Sequence, residues 1–270
     1  MSWADRLPRS VVRGLLRAWP GPTRDRIERL TGLDEAKWRD LARLFPALGA
    51  DPGALAARAR RTFALLAWHE LSRARPRPRW DPAPPPRASE LLLTAHAGNL
   101  RMLRYFLRSA GIPVATIVDE THFGNPKWRR LNEWVEERFP ARFPHTLSSR
   151  EPHRLRAALS RGSLLAAIDR IHRPPPGADD RSARVPFLGG SLEIELAPLR
   201  LARLAGVAAR PVFITAPDAR LTITVGERLP GDEAEAARAF GDLLDRTARA
   251  SPGDFDGFTH RYLAGNAAGS

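Results

Sequence analysis

A histidine at the end of an apolar segment is the residue best placed to do chemistry in this sequence. His96 follows the strand-length apolar run over residues 91–95 and precedes Gly98 and Asn99, an asparagine that can cap a helix. Imidazole titrates near neutral pH and is the side chain most used as a general base. Open α/β sheets bind ligands where a buried strand ends opposite a helix N-terminus. The pattern therefore predicts His96 as the chemical centre.

The segments on either side of His96 alternate between strand and helix patterns. We predict strands over residues 91–95, 114–118, 164–168, 208–215 and 221–225, and helices near residues 100–110, 128–138, 151–162, 196–204 and 232–249. This alternation is typical of an α/β domain with a mainly parallel central sheet flanked by helices. The pair Gly189-Gly190 is too short to cradle a phosphate, and it predicts a turn.

Polar residues directly follow three of the predicted strands. They are His96, then Asp119 with Glu120, then Asp169 with Arg170. In a parallel sheet the carboxyl ends of the strands lie along one edge, where ligands bind. The sequence therefore predicts that a base, several acids and an arginine converge on one rim.

The composition sets the domain organisation and excludes several kinds of site. The 270 residues are 43% hydrophobic, enough to bury a large core, and the absence of cysteine excludes disulfides and thiol nucleophiles. The histidines lack metal-site spacing, so we expect no metal and no cofactor. We divide the chain into an N-terminal helical arm (residues 1–75), a Pro/Arg-rich linker (76–89), an α/β domain (90–263) and a disordered tail (264–270).

The chain is strongly basic. Its net charge is +13, and among 43 basic residues only Lys37 and Lys127 are lysines. The arginine bias reflects either genomic base composition or a negatively charged partner, such as an anionic membrane surface or an acidic carrier protein.

Nucleic acid is not expected, because no binding motif is present and several tryptophans lie on apolar helical stripes. No apolar run is long enough to span a bilayer and no signal peptide is recognisable. Residues 2–19 fit an interfacial membrane helix or a helix docked on the core.

The order of several short motifs resembles the lysophospholipid acyltransferase superfamily, within it the branch of lipid A biosynthesis (lauroyl/myristoyl) acyltransferases. The resemblance covers residues 24–262. Its motifs are His96-Ala97-Gly98-Asn99, Ile168-Asp169, Val185-Pro186-Phe187-Leu188-Gly189, Arg210-Pro211-Val212-Phe213 and Phe258-Thr259-His260-Arg261.

The resemblance implies a membrane-associated acyltransferase. In that family a histidine in an H-x-x-x-x-D/E motif removes the proton of the acceptor, and the acid orients the imidazole. The fatty acyl chain would pass from a thioester donor, acyl carrier protein or acyl-CoA, to a hydroxyl or amine of a lipid or glycolipid. The implied location is peripheral, on the cytoplasmic face of the inner (plasma) membrane, in contact with anionic lipid.

The sequence departs from the family pattern at two rim positions. Arg101 stands where the family has the acid, and Asp119 stands where the lipid A branch commonly has an arginine. We therefore hypothesise that the charges are exchanged. Asp119, or alternatively Glu120, would orient His96, and Arg101 would supply the cation for a phosphate or an oxyanion.

Further residues at the rim are expected to bind substrate. Gly98 and Asn99 would steady the turn or a developing negative charge at a helix N-terminus, and Asp169 would position Arg170 to bind phosphate. The alternative is a catalytically inactive acyltransferase-like protein that binds lipid or a partner protein. A carboxylate beside His96 favours the enzyme, and an arginine alone favours the binding protein.

Overall fold

The described part of the chain has an α/β fold. A computed structural model describes residues 39, 42–43, 45–48, 51–55, 78–81, 89–96, 100–118, 144, 146–169, 182–216, 221–251 and 254, with backbone only at residues 100 and 101. Several predicted features lie outside these residues: the helices over 2–19 and 128–138, and the tail. None of the described helices is long and apolar enough to cross a bilayer.

Seven strands form a central sheet, and two more form a separate antiparallel hairpin. In chain order the strands are β1 (Arg79–Asp81), β2 (Leu91–Thr94), β3 (Val114–Val118), β4 (Thr146–Ser148), β5 (Ser163–Ala167), β6 (Ser182–Phe187), β7 (Gly190–Glu195), β8 (Ala209–Thr215) and β9 (Thr222–Val225). The sheet order is β1-β9-β8-β2-β5-β3-β4, and β6 pairs with β7 in the hairpin.

The central strands run parallel. Strands β8, β2, β5, β3 and β4 are parallel neighbours, whereas β9 is antiparallel to β8 and β1 follows the direction of β9. This confirms the predicted α/β class with a mainly parallel sheet. The predicted strands are present, with ends that differ by at most one residue.

Helices cover both faces of this sheet. They are α1 (Leu100–Ser109), α2 (Pro152–Leu159), α3 (Ala197–Ala205) and α4 (Glu233–Ala250). Leu92 belongs to the apolar cluster that α1 forms on one face. Leu91 and Leu93 belong to the cluster formed with α2, α3, α4 and the hairpin on the other. Because β2 is buried on both faces, it is apolar throughout, as expected for a central parallel strand.

Two turns need backbone conformations that favour glycine. Gly206 ends α3 in the left-handed region, with φ of +65°. Leu188 (φ +47°) and Gly189 (φ +79°) form the two-residue connection of the β6–β7 hairpin, so the predicted turn lies one residue earlier than Gly189-Gly190. The buried Leu188 side chain tolerates this conformation because its backbone N–H donates to the Asp245 carboxylate of α4.

Parts of the predicted arm and linker belong to the sheet domain. Phe45 packs edge-on against Phe187 of β6, with ring centroids 5.3 Å apart, and the Ala47 N–H donates to the Leu188 carbonyl. Strand β1 lies inside the segment that we assigned to a linker, so the sheet begins before residue 90. An edge strand needs hydrogen bonds on one side only, which explains how a proline-rich segment can contribute one.

Candidate functional site

The chain reverses its direction across the sheet between β2 and β5. From β2 it crosses through α1 to β3, whereas from β5 it crosses through the hairpin and α3 to β8, on the other side of β2. The two crossovers pass over opposite faces of the sheet. The carboxyl ends of β2 and β5 therefore flank a crevice at a topological switch point, the usual ligand site of an open α/β sheet.

His96 and Asp169 meet at this crevice. Thr94 pairs with Ala167 at the ends of the two strands, and each functional residue follows two positions later. The His96 ring nitrogen Nδ1 lies 2.9 Å from Asp169 Oδ1, and the His96 backbone N–H donates to both carboxylate oxygens at 3.0 Å. The predicted strand ends thus bring a histidine and an acid together.

Burial and hydrogen bonding favour one tautomer of the His96 ring, the one with its proton on the nitrogen that faces Asp169. The Asp169 side chain is completely buried, whereas 24% of the His96 side chain is exposed. A buried carboxylate needs hydrogen-bond donors, and His96 supplies them from its backbone and its ring. An ionised carboxylate only accepts, so a neutral His96 ring that faces it has the proton on Nδ1 and the lone pair on Nε2. Among the described residues Nε2 has no hydrogen-bond partner.

The hairpin holds the backbone of Asp169 from the other side. Asp169 forms an isolated antiparallel bridge with Ile194 of β7, and the Glu195 N–H donates to the Ile168 carbonyl at 2.7 Å. The acid is therefore fixed by β5, by β7 and by His96 itself. Such support from neighbouring elements keeps a catalytic geometry within narrow limits.

We expected Asp169 to position Arg170, and Asp119 or Glu120 to orient His96. The structure shows the Asp169 carboxylate at His96 Nδ1, a contact that was not predicted. Strand β5 lies between β2 and β3, so the end of β3 at Val118 lies two strand spacings, roughly 9.5 Å, from β2. The other predicted site residues, Gly98, Asn99, Asp119, Glu120 and Arg170, lie outside the described residues, as does the Arg101 side chain.

A buried arginine lies one turn into α1, the helix that follows β2. It is Arg104, which is only 2% exposed. Helical side chains lean toward the helix N-terminus, which for α1 lies at the carboxyl edge of the sheet. The sequence analysis missed Arg104, although a charged residue four positions after Leu100 on the apolar stripe of a helix is a readable signal.

The described residues bring no group of three histidine, aspartate or glutamate side chains together that could hold a metal ion. In comparisons with known proteins, no protein-family model matches the sequence. The search of curated proteins likewise gives no significant match.

Proposed function

We propose that the protein is an acyltransferase in which His96, oriented by Asp169, is the general base. The acyl group would pass from a thioester to a hydroxyl or amine of a lipid or glycolipid acceptor. One observation carries the proposal: a completely buried carboxylate binds Nδ1 of a partly exposed histidine at the switch point of the sheet. A carboxylate partner is the feature that favours an enzyme over a binding protein.

The arrangement accounts for each proton in the reaction. Nε2 takes the proton of the acceptor hydroxyl or amine while that oxygen or nitrogen bonds to the thioester carbonyl carbon. The tetrahedral intermediate then collapses, the carbon–sulfur bond breaks, and the imidazolium returns the proton to the leaving thiolate. Asp169 keeps the ring in the reactive tautomer and stabilises the imidazolium between the two steps.

Asp169 takes over the function of the acid that is absent from the histidine motif of this chain. In the family that the sequence resembles, the acid stands where this chain has Arg101. Asp169 approaches His96 from the neighbouring strand instead, so the replacement does not deprive the histidine of a carboxylate. Under this proposal Asp169, rather than Asp119, orients the base.

The donor and the location follow from the resemblance and from charge. The donor is acyl carrier protein or acyl-CoA, and the protein lies on the cytoplasmic face of the inner (plasma) membrane as a peripheral protein. The net charge of +13 supports contact with anionic lipid, since each basic residue near such a surface contributes about 1 kcal/mol.

The proposal is tested by acyl transfer from two radiolabelled donors, acyl carrier protein and acyl-CoA, to a bacterial membrane lipid extract. Wild type is expected to label a lipid, and His96→Gln to lose about 10³-fold of the rate. Asp169→Asn is expected to lose far more activity than Asp119→Asn, which serves as the matched carboxyl-to-amide control. Equal losses in these two variants would contradict the assigned role of Asp169.

A second candidate is an inactive acyltransferase-like protein that binds lipid or a partner protein. The observation in its favour is Arg101 at the position of the motif acid. It predicts that wild type transfers nothing from either donor, yet binds anionic vesicles with the same affinity as His96→Gln. The transfer assay and a vesicle sedimentation assay on the same preparations distinguish the two candidates.

A further inference from the structure

A second buried carboxylate lies at the carboxyl edge of the sheet. Asp254 follows α4 and is only 2% exposed. Its Oδ2 atom accepts a hydrogen bond from the Ala216 N–H at 2.7 Å and another from the Ser251 hydroxyl. Ala216 is the residue directly after β8, so Asp254 joins the end of α4 to the end of that strand.

The Asp254 carboxylate lies on the side of β8 that faces β2, because the Ala216 N–H that it binds points that way. The Leu91 N–H of β2 donates to the Ala208 carbonyl, whereas the Gly226 N–H, just after β9, donates to the Pro211 carbonyl. Backbone groups alternate between the two sides of a strand, so the even-numbered residues of this segment face β2. The Ala216 N–H therefore points toward the axis of β2, beyond the end of that strand.

The register relates Asp254 to His96. Leu93 pairs with Pro211, and continuing this parallel register brings His96 level with Ile214. If β2 continued past His96, its next backbone carbonyl would accept a hydrogen bond from the Ala216 N–H of the neighbouring strand. The Asp254 carboxylate takes that position. It therefore lies no more than about two residue rises, roughly 7 Å, beyond His96 along the strand.

We propose that Asp254 is a positioning residue of the site, a second carboxylate that closes the β8 side of the crevice and stabilises the protonated His96 ring. Asp169 flanks the same ring from the β5 side. With the spacing between β2 and β8, roughly 4.8 Å, included, the carboxylate lies within about 8–9 Å of the His96 backbone, where an opposite charge in a partly buried site still stabilises a cation. The catalytic meaning of this inference rests on the proposed acyl transfer, whereas the coupling between Asp254 and His96 does not.

Other described charged residues near this edge are Asp169 after β5, Glu195 at the end of β7, Arg104 in α1, Arg150 with Glu151 after β4, and Arg249 in the last turn of α4. None of them is changed when Asp254 alone is replaced. Asp254→Asn removes one negative charge, keeps an oxygen that can accept the Ala216 N–H, and has nearly the same shape.

The test is an NMR titration of the His96 imidazole, assigned by comparison with His96→Gln. Asp254→Asn is expected to lower the His96 midpoint by at least about 0.5 pH unit, because the imidazolium loses a nearby negative charge. Asp245→Asn is the matched control: Asp245 of α4 binds the hairpin turn, away from the crevice, and its change is expected to leave the midpoint where it is. An unchanged midpoint in folded Asp254→Asn would overturn the inference.

A second measurement needs no change at position 254. In wild type, the carboxyl carbon resonance of Asp254 is expected to shift with the midpoint of His96, and this inflection is expected to vanish in His96→Gln. If the Asp254 carboxyl resonance shows no inflection at the His96 midpoint, the coupling is refuted, even where Asp254→Asn fails to fold.

The outcome also separates this inference from the proposed function. If wild type transfers acyl groups, the acid limb of its kcat/KM profile is expected to move to lower pH in Asp254→Asn, by the shift that the titration shows. A titration shift in a protein that transfers nothing would refute acyl transfer and retain the coupling. Active protein with an unmoved acid limb would refute the role of Asp254.

Discussion

Replacing Asp169 by asparagine is expected to reverse the tautomer of His96. With its oxygen at the Oδ2 position, an asparagine still accepts the His96 backbone N–H, and its amide nitrogen, a donor, then faces Nδ1. Two donors cannot share a hydrogen bond, so the neutral ring would move its proton to Nε2. The nitrogen that faces the acceptor substrate would then carry a proton and could no longer remove one.

The geometry gives the size of this effect. To act as a base, the variant must move the ring proton back to Nδ1, where it faces the buried amide nitrogen of the new asparagine. Relative to wild type, this form lacks the hydrogen bond from Nδ1–H to a charged carboxylate, about 1.5–3 kcal/mol, and leaves a buried donor unsatisfied, at about 1–3 kcal/mol. The combined cost of about 2.5–6 kcal/mol corresponds to a loss of roughly 10²–10⁴-fold in rate. The free energy of unfolding should change much less, since the size and shape of the side chain are kept.

Two measurements check this expectation. ¹⁵N NMR of the imidazole reports which ring nitrogen is protonated, and it requires no substrate. We expect Nδ1–H in wild type and Nε2–H in Asp169→Asn, together with the loss of transfer rate at unchanged melting temperature. A variant that retains both Nδ1–H and the wild-type rate would refute the assignment of Asp169 as the orienting acid.

Three further changes test the capping and packing of α4. Gly241→Ala should lower the free energy of unfolding by about 1–2 kcal/mol in urea titrations, because overpacking outweighs the better helix propensity of alanine. The new Cβ would lie 2.7 Å from Val185 Cγ2. Asp232→Ala should cost about 1 kcal/mol by thermal unfolding, since the aspartate oxygen caps two N–H groups of α4. Burial raises the pKa of Asp245, but hydrogen bonds, chiefly from Arg249, lower it below its ordinary value of 3.8. Its contribution is therefore present above about pH 4 and is lost as the pH falls, so Asp245→Asn should be less stable than wild type at neutral pH, with a gap that closes in acid.

Each of these three predictions has its control. Gly231→Ala introduces a Cβ into open space and should leave the free energy of unfolding nearly unchanged, so an equal loss there would contradict the steric explanation. Asp232→Ser keeps a capping oxygen and should restore most of the lost stability. A gap between wild type and Asp245→Asn that widens in acid would contradict the lowered pKa.

The sequence was sufficient to predict five of the seven strands of the central sheet. Each central strand is an apolar run bounded by glycine, proline or polar residues, and Gly111 and Gly206 mark helix ends where the structure has them. His96 and Asp169 were both predicted at strand ends, and parallel strands necessarily place such residues at one edge. The fold class, and the position of these two residues at one edge of the sheet, therefore follow from the strand and helix pattern.

The partner of His96 could not be predicted, because chain order does not fix strand order. The resemblance suggested Asp119 after β3 as the partner, but β5 lies between β2 and β3 and brings Asp169 to the histidine. The hairpin was missed because Pro186 interrupts the pattern of β6. Asp254 was missed because nothing local shows that a carboxylate after a long helix returns to the end of β8.

Transfer of a labelled acyl chain from acyl carrier protein to membrane lipid tests the central claim most directly, with wild type and His96→Gln measured side by side. The pairing of His96 with Asp169 predicts labelled lipid in wild type and at least about 10³-fold less in the variant. Equal rates in the two proteins, or no transfer by wild type from either thioester donor, would contradict it.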